Sequence, residues 1–393
     1  MDGTRRQFLK ATAVTTALSQ SRILGANDRI RLAGLGTGGR CSYILDLAVQ
    51  AGGTEVVAAC DVYEPRRLAI KEKIGPQADL YVDYREVLDR KDIDAVVIGS
   101  PDHWHTRMTI DAVRAGKDVY VEKPVTHEIS EGEELIRAVR ASGRVVQAGY
   151  QQRSWEHFIR GREIVASGRL GKVSLVLASW YQNYVRGMKN PPAVDAAKLD
   201  WKRFLGSAPD RPFEPVRYLR WRFFWDYGGG HLTDLYSHYG DVIQWYMGSD
   251  APVSATANGG TYCLSSLECP DTITAAYDYR TFGITYTGTL NGSLDGGSII
   301  FRGSRALMKV TRDGFAVYTE GLVPNEKTRY PEPTIEMRSE GDGTRPHVAN
   351  WLDCIRSRKE PNAPVEPAVA AARAAHLGNL AYRKGTKVQW PMS

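Results

Sequence analysis

The chain has 393 residues, 42% of them hydrophobic and 24% charged, with a formal net charge of +6. That length accommodates two domains with separate cores, and the composition excludes a disordered polymer. Nothing in the charge calls for nucleic acid or a membrane surface: Arg5, Arg6, Lys10 and Arg22 against Asp2 supply half of it, leaving +3 beyond residue 26, and no apolar run approaches the ~20 residues of a spanning helix.

Residues 1–26 read as an address. Thr4-Arg5-Arg6-Gln7-Phe8-Leu9-Lys10, followed by a mildly apolar stretch to Leu18, is a twin-arginine signature and predicts a periplasmic or otherwise exported protein. The alternative is a basic arm that stays on a cytoplasmic protein and packs against another subunit. Leu24-Gly25-Ala26 is a weak cleavage site.

Residues 27–150 then alternate strands with helices. Ile30, Leu32 and Ala33 run into Gly34, Gly36, Thr37, Gly38 and Gly39, a helical segment follows, and Val56 to Cys60 ends at Asp61. In a dinucleotide turn the first Gly makes the bend, the second lets backbone approach the pyrophosphate, and the third lets helix and strand pack closely; Gly34, Gly36 and Gly39 have that spacing. The helix beginning there aims free N–H groups and its positive dipole end at the phosphates. Asp61, 22 residues past Gly39 at a strand end, suits a ribose diol and favours NAD, because a 2′-phosphate would meet its charge. Arg66 and Arg67 just beyond it keep NADP open. A Gly-rich turn in another doubly wound domain is the alternative, against which the strand and helix context weighs.

A helix over Pro65 to Lys73, a strand over Asp94 to Ile98, a loop from Gly99 to His105 and a helix over Thr106 to Ala115 come next. The strand Asp118 to Val121 ends at Glu122-Lys123-Pro124, before a helix over Ser130 to Ala141 and a strand over Arg144 to Ala148. This alternation predicts a parallel sheet with ligand at the strands' carboxyl ends, edged by the loops at Gly34, Asp61, Ser100 and Glu122.

In residues 151–393 the period changes. Residues 172–181, 271–279, 282–290, 298–303, 306–311 and 314–318 are short, Thr-, Tyr-, Val- and Ile-rich, and predict an open antiparallel sheet. A long helix over Gly230 to Met247 interrupts them, 321–346 reads as a loop, and helices over His347 to Arg356 and Pro367 to Arg383 close the chain. The expected architecture is α/β then α+β: a Rossmann domain followed by a substrate and oligomerisation domain with C-terminal helices. Cys41, Cys60 and Cys354 fit a core; Cys263 and Cys269 flank a polar loop and are candidates for a disulfide.

Gly34-x-Gly36-x-x-Gly39, Pro101-Asp102-His103-x-His105, Glu122-Lys123-Pro124, and Gly228-Gly229-Gly230 followed by Asp234-x-x-x-His238 together resemble the Gfo/Idh/MocA oxidoreductase family, in family order. The resemblance extends from Asn27 to Trp390 and implies that Lys123 contacts cofactor and substrate, with Glu122 on the cofactor side. By its own chemistry, a lysine at a sheet strand's end would face an oxidised nicotinamide, whose positive charge disfavours the ammonium and makes the amine a better base. Asp234 and His238, four apart, share one helix face. A metal there lacks a third ligand with local spacing; a structural helix with a satisfied Asp and His is the blander alternative. The resemblance implies that His238 takes the hydroxyl proton while Asp234 orients substrate or base.

Ser100, Pro101, His103 and His105 are candidate cofactor-loop contacts together with Thr37, Gly38 and Arg66. Gln151, on the cofactor side, and Arg153, on the substrate side, follow the last sheet strand. Tyr227 and His231 flank the triple glycine as candidate substrate contacts, and Trp180, Tyr181, Trp221, Arg222 and Trp225 offer surface on which a sugar ring stacks, Tyr181 being the candidate ligand. The expected activity is NAD(P)-dependent hydride transfer between a sugar, polyol or glycoside and a tightly bound nicotinamide. Export also suggests a redox-neutral glycosidase that oxidises, eliminates, adds water and reduces; a non-catalytic sugar-binding protein is the third reading. A homo-oligomer, dimer or tetramer, is expected.

Overall fold

Strands buried on both faces must lie between helical layers, and the apolar runs of the first half do. In a computed structural model, which describes residues 29–184, 192–320 and 331–391, they form β1 (Ile30–Leu35), β2 (Thr54–Cys60), β3 (Asp79–Tyr81), β4 (Ala95–Ile98), β5 (Asp118–Val121) and β6 (Val146–Ala148). The segment read as an export signal lies outside the described residues. The six strands make one sheet, in the order β3-β2-β1-β4-β5-β6, all pairs parallel. Strand order reverses between β1 and β4, and there a doubly wound sheet opens a crevice at its carboxyl edge.

The second sheet has nine strands: β7 (Val173–Tyr181), β8 (Ser254–Gly260), β9 (Thr272–Asp278), β10 (Gly283–Thr289), β11 (Gly297–Gly303), β12 (Ala306–Thr311), β13 (Gly314–Thr319), β14 (Ile335–Arg338) and β15 (Val388–Gln389). It is not wholly antiparallel, since β10 runs parallel to β7. Topology requires this: β10 and β11 run in opposite directions and β7 lies between them, so it must be parallel to one. β8 and β15 were not legible as strands, and β14 falls inside the stretch read as a loop. Alternate residues of β9 and β10 are buried, and the helix Ser237–Met247 packs in the core beneath. The expected single helix from Gly230 instead opens with a π-helical turn, Leu232–Tyr236.

The C-terminal helices, Thr344–Ser357 and Val365–Lys384, do not stay with the second domain. Val348, Trp351 and Leu352 pack with Ile44, Leu45 and Val97 of the first, and Val365, Ala368 and Val369 with Val96 and Val119. Farther along the last helix, Ala374, Ala375 and Leu377 enter the core of the second sheet. The first domain is therefore completed by residues nearly 200 positions beyond its last strand, as the Gln147 amide donating to the His347 carbonyl (|i−j| = 200) illustrates.

Candidate functional site

Gly36 has φ +75°, and a Cβ there would lie 2.6 Å from the Ser100 backbone, so this position admits only glycine. Close packing of helix on sheet falls to other glycines than Gly39. A Cβ at Gly34 would meet Leu45 at 2.8 Å and one at Gly99 would meet Cys41 at 2.7 Å, whereas at Gly39 nothing lies within 4 Å. Gly39 borders open space, a cleft of about 890 Å³ that also touches Gly36, Gly38, Asp61, Arg66, Ser100 and Pro101. Asp61 closes β2 and is 4% exposed; burial raises its pKa, opposed by Arg66 and by N–H donors from Tyr63 (2.9 Å) and Thr37. Arg67 is occupied, donating to the Asp61 carbonyl at 2.5 Å, so Arg66, lying over the Tyr218 ring, is the arginine that faces the cleft. The cradle fits a dinucleotide: the helix Gly39–Ala51 presents its N-terminus to the cleft, and Ser100 Oγ on its lining is buried without a hydrogen-bond partner, as are Thr37 Oγ1 in the turn itself and Gln151 Oε1, which borders the neighbouring cleft that holds Lys123.

A second cleft, about 850 Å³, adjoins the first across Arg40, Ser100 and Arg222 and holds Lys123, Asp234 and His238. Lys123 Nζ donates to the Asp234 carbonyl at 2.6 Å and to its Oδ1 at 3.0 Å. Asp234 also accepts from Arg222 Nε (3.2 Å) and the Tyr184 hydroxyl (3.3 Å). Burial alone would raise the Asp234 pKa, but Lys123 and Arg222 outweigh it and hold the carboxyl well below the usual range. Its place on a π-helical turn is one that such turns often take at functional sites. His238 lies on the Trp180 ring (centroids 5.8 Å apart, 25° between planes), with Nδ1 3.2 Å from Gln152 Oε1. Burial, then the charges of Lys123 and Arg312, push it well below the ordinary imidazole range. The neutral ring donates Nδ1–H to Gln152, leaving Nε2 as a free acceptor. Glu122 accepts from Arg40 Nε at 2.8 Å, and Arg40 overcomes the effect of burial and keeps it ionised.

Six candidate residues stand elsewhere or serve the structure. His103 and His105 are on the first turn of the helix Asp102–Arg114 rather than in a loop. His103 sits 2.9 Å from the Phe204 carbonyl among aromatic rings, away from either cleft; His105 does border the second cleft, but its two ring nitrogens face the Pro124 and Ser100 carbonyls at 2.6 and 2.9 Å and so brace the two loops. Tyr181 points to the opposite sheet face, 3.0 Å from Thr287 Oγ1, while its neighbours Trp180 and Gln182 enter the cleft, a one-residue error in strand phase. Tyr227 is wholly buried beside His103 and Phe204, and His231 is 2.9 Å from the Tyr286 hydroxyl against β10. Arg153 is not a ligand either: Nε and Nη2 donate to Asp241 Oδ1 at 2.9 and 2.8 Å, both side chains being buried. Asp241→Ala should strand that guanidinium and cost about 3–5 kcal/mol in urea denaturation. A loss of substrate affinity with unchanged stability would instead return Arg153 to the cleft. Trp225 packs near Tyr382 and Arg383, and both Cys263 and Cys269 are free, the first exposed and the second buried.

Asp102, Gln152, Tyr184, Arg40 and Arg312 also build this site, though none is among the candidates the sequence offers as a ligand. Asp102 is the most consequential. It starts its helix in the second cleft, 4% exposed, and burial lifts its carboxyl to about 8 against the pull of Lys123 and Arg222. In the unfolded chain it ionises near ~4, so the folded protein holds an extra proton between these two values. Its stabilising contribution is complete below the lower value and is lost as pH rises through about 8. Asp102→Asn should therefore gain melting temperature over the wild type progressively as melts are repeated from pH ~4 towards 8; a gap independent of pH would show that the carboxyl ionises normally.

Comparison with known proteins follows the same division. Residues 29–150 match a family model described as an oxidoreductase family, NAD-binding Rossmann fold, and residues 162–392 one described as an oxidoreductase family, C-terminal alpha/beta domain. The chain is 30% identical to the inositol 2-dehydrogenase of Salmonella paratyphi B over 154 residues, 39% of this chain and 46% of that protein. It is 28% identical to the inositol 2-dehydrogenase of Rubrobacter xylanophilus over 161 residues, 40% and 46%. The matches thus span less than half the length of these relatives. Among solved structures, the WlbA dehydrogenase from Bordetella pertussis in complex with NADH and UDP-GlcNAcA aligns with a TM-score of 0.70 at 20% identity, covering 93% of this chain and 100% of that one. Levoglucosan dehydrogenase in complex with NADH and levoglucosan aligns with a TM-score of 0.72 at 15% identity and the same coverage. At these identities the likeness is one of fold.

Proposed function

Because the chain belongs to the Gfo/Idh/MocA oxidoreductase family and carries its NAD-binding Rossmann domain, we propose that it transfers hydride between a hydroxyl-bearing carbon of a sugar, polyol or glycoside and a tightly held NAD. One observation carries this reading: Lys123, Asp234 and His238 meet in a cleft that opens onto the one beneath the Gly-rich turn. The inositol and levoglucosan dehydrogenases it resembles agree with a polyhydroxylated substrate.

The residues divide the work by position. Gly36, Gly38 and Gly39 leave room for the pyrophosphate, Asp61 accepts from ribose hydroxyls, and Ser100 and Gln151 turn unpartnered polar atoms toward the cofactor side. NAD supplies the hydride acceptor. His238 Nε2 takes the hydroxyl proton, a neutral base fixed in orientation by Gln152 and Trp180. Lys123, held by Asp234, donates to the reacting oxygen and stabilises the charge that develops there. Asp234 in turn is fixed by Arg222 and Tyr184.

The twin-arginine pattern at Arg5-Arg6 favours a second reading. An exported enzyme has no evident partner to recycle NAD, so a cofactor loaded before export must return its hydride, as a redox-neutral glycosidase or a sugar–sugar oxidoreductase does. Denaturing the purified protein and assaying released NAD(H) and NADP(H), then incubating native protein with sugars and aryl glycosides without added cofactor, separates these. Retained cofactor with aglycone release selects the glycosidase; NAD consumed for each turnover selects the dehydrogenase; protein that neither retains nor binds nicotinamide overturns both. We assign oligomerisation to the open face of the nine-stranded sheet, which light scattering of a monomer would refute.

A further inference from the structure

Four cations line the cleft that holds Lys123 and His238. Three are matched by carboxylates: Arg40 by Glu122 at 2.8 Å, Lys123 by Asp234 at 3.0 Å, and Arg222 by the same Asp234 at 3.2 Å. Arg312 is different. It occupies the turn between β12 and β13, and among the described residues it forms neither a hydrogen bond nor an ion pair, even with its neighbour Asp313. Its guanidinium lies over the Trp155 and Trp180 rings, 5.6 and 5.8 Å from their centroids, and Trp180 also carries His238. A shelf of aromatic rings therefore holds an unneutralised cation on the side of the cleft where the base sits. The one acid left over, Asp102, keeps its proton near neutral pH and does not offset it.

A stacked guanidinium keeps its edge free, and that edge matches the planar, two-oxygen geometry of a carboxylate or two oxygens of a phosphate. We propose that the substrate is an anionic carbohydrate, bearing a carboxylate or phosphate monoester that Arg312 binds while the reacting carbon lies at Lys123 and His238. This rests on the hydride-transfer reading above and adds the substrate's charge to it. Arg312 is exposed at the rim, so the anion keeps contact with water and the discrimination it provides is on the order of tenfold.

The test uses the enzyme–NAD complex and matched sets of a neutral hexose, its uronic acid and its 6-phosphate. Binding is read by tryptophan fluorescence, since Trp155 and Trp180 form the shelf, and turnover separately by NADH absorbance. In at least one set the anionic member should bind about tenfold more tightly than the neutral one. Arg312→Gln should erase that difference and Arg312→Lys should restore part of it. The uronate or the phosphate, whichever is preferred, identifies the anion. No anionic preference in any set, or one that survives Arg312→Gln, overturns the proposal. Anionic preference in binding with neither NADH formed nor aglycone released from any sugar or aryl glycoside would leave it standing and sink hydride transfer, whereas equal turnover of neutral and anionic sugars without a binding preference would do the reverse.

Discussion

Lys123→Ala is expected to reduce hydride transfer by about 10²–10⁴-fold, the range that a positioned proton-transfer or hydrogen-bonding group contributes, while NADH still binds. The ammonium is the only cation in the cleft that contacts both the backbone carbonyl and the carboxylate of Asp234 among the described residues. It lines the second cleft, two residues past the end of β5. Removing it leaves Asp234 with Arg222 and Tyr184, so the fold keeps its buried carboxylate partnered while the reacting oxygen loses its donor. Fluorescence titration with NADH and steady-state rates on the best substrate measure the two effects separately. Full activity in the variant would remove Lys123 from the mechanism, and loss of NADH binding would make its role one of cofactor retention.

Gly36→Ala should be as damaging by a different route. The added methyl meets Ser100 backbone atoms at 2.6 Å, which no side-chain rotation relieves, and the residue must hold φ +75°. Left-handed backbone costs about 1–2 kcal/mol for an L-residue before any clash is counted. The shift needed falls on the Ser100 loop, which borders both clefts, so NADH affinity should drop at least about tenfold together with melting temperature. Gly39→Ala provides the contrast. Its methyl meets nothing within 4 Å and it opens a helix, so the ligand-free protein should melt no lower than wild type, yet the methyl projects into the space a pyrophosphate needs. Melts with and without NADH distinguish them: a Gly39→Ala protein stabilised by NADH as fully as wild type would show that the phosphates lie elsewhere.

The first domain was legible almost strand by strand because its signals are local. Apolar runs ending at Gly34, Asp61, Gly99 and Glu122 announce both the sheet and its functional edge, and a strand buried on both faces tolerates a one-residue error in its limits. The second sheet was legible where β-branched and aromatic residues mark it. It was lost at β8, whose Ser-Ala-Thr-Ala-Asn-Gly-Gly has little to mark it. Site residues divided along the same line. Lys123, Asp234 and His238 were legible because short motifs mark them, the lysine just past a strand's end and the other two a turn apart on one helix, although 111 residues separate Lys123 from Asp234. Tyr181 failed because period-2 phase decides which of two adjacent aromatics faces the cleft. Arg153 and His231 failed because a buried polar side chain near a glycine or strand end is equally suited to a partner within the protein, here Asp241 and Tyr286. Arg312 had no local mark at all, since only the pairing of β12 with β13 carries that turn to the cleft.

The last helix, Val365–Lys384, has 20 residues and so is about 30 Å long, with its first turns in one core and its later turns in the other. It acts as a strut across the two halves, which makes wide, clam-like opening costly, because either core would have to release the helix. A dinucleotide seated between the halves would then exchange more readily by side-chain and loop motion at the mouth of the clefts than by opening of the halves. Such a strut would favour the tight retention of the cofactor that the proposed function calls for.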